Sequence, residues 1–214
     1  MSTDPLHYPF WLASRSAGVV AYILLSASVV LGLAMALRMA PVGARAGLRV
    51  LHERVALLAL GAVGAHGLML LPDRWLHPGL SAILIPFTST YRPFWTGLGI
   101  CAGYLAAGLS LTYYARRRLG TRRWRNAHRF IPIAWALAAT HVIGAGTDAV
   151  SLWLEAVLAL TISAIVVLLG RRWWLDRKRR PAPPRKAPPS PPPAVPEEPQ
   201  PAERRHAGEL GLFR

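Results

Sequence analysis

Cysteine is nearly absent: the chain has one thiol, Cys101, in 214 residues. A single cysteine cannot build a disulfide framework or a thiolate metal site within the chain, and without a C-x-x-C-H motif no haem can be attached covalently. Acidic residues are scarce as well, 10 against 25 Lys and Arg, for a formal net charge of +15. In a soluble protein that balance points to nucleic acid. Here the basic residues sit just outside long apolar runs, where they orient a chain in a bilayer, so a nucleic-acid partner is set aside.

What is present is hydrophobic, 53% of the chain. The pattern predicts an all-α membrane protein: a five-span transmembrane helix bundle with a disordered, Pro-rich C-terminal tail. About 20 residues at about 1.5 Å rise cross the hydrocarbon of a bilayer. The expected spans are 17–37, 51–71, 94–114, a fourth whose apolar part is 130–144 and whose helix begins near Thr121, and about 150–170. Residues 1–16, with Tyr8, Phe10 and Trp11, read as an interfacial segment. The stretch 72–93 is a loop whose apolar middle, 83–87, dips into the interface. Residues 17–170 are the membrane domain and 171–214 a basic cytoplasmic tail. Within the tail, 11 of the 21 residues 181–201 are proline, a composition for extended or disordered chain.

Lys and Arg divide 22 to 3 between the two sides of these spans, with only Arg15, Arg74 and Arg92 on the poorer side. The positive-inside rule then puts the N-terminus outside and the tail in the cytoplasm.

Four histidines fall inside expected spans. His52 and His66 are 14 residues apart on the second, and His128 and His141 are 13 apart on the fourth. An imidazole in hydrocarbon marks a function or a satisfied polar contact. The two spans run the same way, so the four rings form two levels roughly 20 Å apart. That suits two bis-histidine haems stacked across the membrane. Fourteen residues bring His66 back to within about 40° of the His52 face, whereas thirteen leave His128 and His141 about 140° apart on a straight helix. Pro132 lies between them, where it removes a backbone hydrogen bond to the carbonyl of His128 and predicts a kink. Ala59, Ala62, Val63 and Gly67 leave room on the His52 and His66 face, and Trp135 falls between the levels.

The histidine spacing, with Pro86-Phe87-Thr88-Ser89-Thr90-Tyr91-Arg92-Pro93-Phe94-Trp95 and Gly144-Ala145-Gly146-Thr147-Asp148, resembles the ferric reductase-like transmembrane domain of NADPH oxidases and iron reductases, over roughly residues 12–170. The resemblance implies that His52 pairs with His128 on an inner b-type haem and His66 with His141 on an outer one. It implies electron transfer from a cytoplasmic flavoprotein reductase or a quinol to an external acceptor or partner protein, in a bacterial plasma membrane. The chain departs from the oxidases after residue 170, where no flavin or NADPH site and no glycine-rich nucleotide motif is found. In this it is closer to the small haem-bearing membrane subunits that serve a separate partner. Arg54, Arg129 and Arg92 are the candidates for pairing with haem propionates. The competing expectations are a cofactor-free proton-coupled transporter that uses the histidines as a relay, and a cytochrome that retains one haem.

Overall fold

The computed structural model describes residues 9–73 and 78–178. Residues 1–8, Arg74, His77, the proline-rich 181–201 and the remainder of the tail with His206 lie outside the described residues, as does His7. Among the described residues the only regular structure is helical. The long helices are α1 (Pro9–Ala36), α2 (Arg45–Leu68), α4 (Pro93–Leu111), α7 (Ile131–Ala145) and α8 (Leu152–Lys178). Three short ones, α3 (Leu80–Leu84), α5 (Arg116–Leu119) and α6 (Thr121–His128), lie between them, and a 3-10 turn, Val42–Ala44, precedes α2.

Local chemistry explains the boundaries. Helix α1 begins at Pro9, a residue pre-set for a first turn because its φ is fixed and it has no N–H to leave unpaired. The expected interfacial segment therefore loses its second half to the first helix. Helix α1 closes with Met39 N–H on the Ala34 carbonyl and Arg38 N–H on that of Met35, Arg38 taking φ 56°. This is the left-handed helix stop that glycine usually occupies. Pro93 opens α4 behind Arg92 at φ 43°. Pro132 does more than kink the fourth expected span. The helix stops at His128 and restarts at Ile131, with Pro132 in the first turn of α7.

Five spans were expected, and three helices are long and apolar enough to cross a membrane: α1, α4 and α8. The shortfall has two physical causes. Helix α2 carries Arg45, Arg49, Glu53 and Arg54 in its first ten residues, and α7 has only 15 residues because of the break before it. Helix α8 in turn runs eight residues past the expected end at 170, into the segment read as tail.

The helices pack as two antiparallel pairs, α1 with α2 and α4 with α7, joined where α1 meets α7 and α8. The core lies at that junction: Tyr22, Val29 and Leu33 of α1, Trp135 and Ala139 of α7, and Leu154, Leu158 and Ile165 of α8. Helices α2 and α4 touch little, and the space between them becomes the cavity described below. Outward faces are apolar, with Leu58, Leu160, Val166 and Val167 all exposed.

Candidate functional site

Helix α2 carries His52 and His66, α6 carries His128 and α7 carries His141, and the fold brings the rings together by level. His52 faces His128 with ring centroids 6.2 Å apart and planes at 90°. His66 faces His141 at the same 6.2 Å, with planes at 70°. The phase conflict in the fourth span is resolved by its break: His128 is the last residue of α6 and His141 belongs to α7, so the two rings need not share one helical face.

Three of the rings are tied to backbone by Nδ1. His66 donates to the Ser14 carbonyl at 2.8 Å, His52 to that of Ser28 at 3.0 Å, and His141 to that of Trp95 at 2.9 Å. A helical carbonyl is normally flanked by the side chain four residues on. In all three cases that residue is glycine. A Cβ on Gly18 would stand 2.9 Å from His66 Nδ1, one on Gly32 3.3 Å from His52 Cε1, and one on Gly99 2.6 Å from His141 Nδ1. Ser14 and Ser28 also place their hydroxyls 3.1 and 3.3 Å from the same Nδ1 atoms. The fourth ring differs. His128 Nδ1 is buried with no well-aligned hydrogen bond among the described residues, and the Leu109 carbonyl is the backbone acceptor near it.

With Nδ1 committed to a carbonyl, the tautomer leaves the Nε2 lone pair free, the arrangement that orients metal-bound histidine. Two imidazoles bound to one metal at about 2.0 Å have ring centres roughly 6 Å apart, which both pairs match. Among the described residues no group of three or more His, Cys, Asp or Glu is gathered. A metal at either level therefore needs its remaining ligands from elsewhere, as a tetrapyrrole provides.

The two levels differ in space. Beside His66 and His141 lies a cavity of about 870 Å³, walled by residues such as Gly64, Ala102, Gly103 and Ala106. Beside His52 and His128 the open space is about 20 Å³, room for about one water, bounded by Ala56, Ala59, Val63 and Ser110 among others, so a macrocycle at this level requires these walls to part toward the larger cavity, with which the space shares Leu25, Leu60, Val63 and Ala106. Of the small residues expected to make room, Val63 borders both cavities, Ala59 the inner and Gly67 the outer.

The other expected site residues have these surroundings. Trp135 is buried on α1, donating from Nε1 to Ser26 Oγ at 2.9 Å, and it lines neither cavity. Arg92 donates to the Gly144 carbonyl at 2.6 Å, where a cation meets the carbonyl end of α7. Arg54 and Arg129 are exposed. Glu53 accepts from Tyr114 Oη at 2.9 Å. At the end of the bundle that holds His66 and His141 an ion pair joins Arg15 to Asp148, tying α1 to the turn before α8.

The residues missed in the sequence are Ser14, Gly18, Ser28 and Gly32. Their signal was legible: S-x-x-x-G occurs twice with a spacing of 14, the same as between His52 and His66. No family model, curated protein or solved structure matches the chain.

Proposed function

We propose that the chain is a ferric reductase-like membrane subunit that transfers electrons from a cytoplasmic donor to an external acceptor through two bis-histidine b-type haems. The observation that carries this reading is the duplicated pair, His52 with His128 and His66 with His141, both at 6.2 Å. A haem held by either histidine pair would supply one-electron transfer rather than oxygen binding.

The chain's own residues do the holding and shielding. His52 and His128 are the inner ligands and His66 and His141 the outer ones. The carbonyls of Ser14, Ser28 and Trp95 fix three of the rings. The apolar walls of the outer cavity keep water from the site. Arg54 and Arg129, exposed near the inner level, are the arginines left to meet propionates.

In this reading α2 and α7 join α1, α4 and α8 to make five spans. The charged first turns of α2 stay at the cytoplasmic border while its remainder enters the bilayer, and α6 and α7 cross together. With 22 of 25 basic residues on one side, the N-terminus lies outside and the tail in the cytoplasm of a bacterial plasma membrane. The donor is a flavoprotein reductase or a quinol, and the acceptor is ferric iron, oxygen or a partner protein. The chain is then the haem-bearing component of an oxidoreductase.

Single ligand replacement tests the assignment. His66→Ala should lower haem from two per chain to one, leaving the inner low-spin signal in place. Unchanged haem content in that variant removes His66 from the ligand set.

A further inference from the structure

His128 is the one ring of the four without a carbonyl clasp. Four residues beyond Leu109 stands Tyr113, where the other three sites have glycine; the Leu109 carbonyl, near His128, accepts from Thr112 Oγ1 at 2.6 Å, and His128 Nδ1 is left without a well-aligned bond among the described residues. Trp124, one turn earlier on α6, lies with its ring centroid 5.5 Å from that of His128 and the planes only 32° apart. Tyr113 packs edgewise on Trp124 at 5.6 Å, and the Arg116 guanidinium covers the Tyr113 ring at 3.8 Å. The row runs from a surface cation to an imidazole of the inner pair.

We infer that Trp124 is the positioning residue of His128, holding by stacking the ring plane that a backbone hydrogen bond holds at the other three histidines. The inference rests on the haem reading above. Offset contact between two aromatic faces resists rotation of either ring, and the His52 plane at 90° to that of His128 is the relation it preserves. Trp124 Nε1 is itself buried with no hydrogen bond among the described residues, so the indole acts here through its face. Phenylalanine can then replace it, and alanine cannot.

The test is electron paramagnetic resonance and redox titration of the oxidised, haem-loaded full chain, because the spectrum of low-spin ferric haem responds to the angle between its axial ring planes. The inner signal is identified as the one that His66→Ala retains. Trp124→Phe should leave both signals in place. Trp124→Ala should shift or broaden the inner signal and move its potential, or release the inner haem, with the outer signal unchanged. An inner signal and potential unaltered in Trp124→Ala would overturn the inference, as would equal change at both levels or loss of the inner haem from Trp124→Phe. Failure of the haem reading is separable, since it appears as absence of haem in the parent chain.

Discussion

Ser14 and His66 hold each other's backbone across two antiparallel helices. The imidazole donates from Nδ1 to the Ser14 carbonyl at 2.8 Å, and the Ser14 hydroxyl donates to the His66 carbonyl at 2.8 Å. Fourteen residues further along α1, the Ser28 carbonyl accepts from His52 Nδ1 at 3.0 Å. Helix α1 is thus a ruler with two marks, matched in spacing to the histidines of α2.

The glycine one turn after each mark should be intolerant of a side chain. In Gly18→Ala the new methyl meets Nδ1 of His66, and the ring must leave its carbonyl or the helices must part. Haem per chain should fall from two toward one, with a stability loss of about 1–3 kcal/mol from overpacking. Gly108→Ala is the control, since nothing lies within 4 Å of a Cβ there. Haem extraction and thermal melting of the two variants read the difference.

Pro132 should matter through the break it enforces. Pro132→Ala restores an N–H able to bond the His128 carbonyl, which favours one continuous helix. On such a helix the 13 residues between His128 and His141 leave them about 140° apart. Circular dichroism should show equal or greater helix content while the inner haem is lost. Retention of both haems with a continuous helix would show that the break is not what aligns the rings.

Much of this was legible before any coordinates. Apolar runs located every long helix, and the histidine spacing picked out the four facing rings. The histidine phase on the fourth span was read on a straight helix, and the break at Arg129 and Phe130 is the reason that reading conflicted with the pairing. Three of the five expected spans meet length and composition on their own; the charged start of α2 and the break that shortens α7 keep those two helices below it. Trp135 is placed in the sequence by depth and by the face it shares with His128, and neither names its hydrogen-bond partner, Ser26. Ser14 and Ser28 escaped notice because a serine in an apolar helix looks like local back-bonding, as Ser26 does with the Tyr22 carbonyl. Only the matched spacing separates the two cases.

Trp135 should prove structural. Trp135→Phe removes the hydrogen bond to Ser26 and should cost about 1 kcal/mol. Trp135→Ala should cost about 3–5 kcal/mol. Neither should move the haem spectrum at either level until the protein melts. A change in the potentials of the folded Trp135→Phe protein would place the indole in the electron path.

The near absence of cysteine makes topology simple to measure. In a Cys101→Ser background, Val150→Cys places a thiol in the turn before α8, where Val150 is 86% exposed. Gly120→Cys places one between α5 and α6. A membrane-impermeant thiol reagent added to intact cells should label position 150 and spare position 120. The reverse pattern would invert the proposed orientation and with it the direction of electron flow.

The most direct measurement is the reduced and oxidised visible spectrum of the purified full chain, with haem quantified per chain. Two haems, both six-coordinate and low-spin, are expected. The absence of a Soret band would contradict the cytochrome reading altogether, and a ratio near one would contradict the duplicated pair on which it rests.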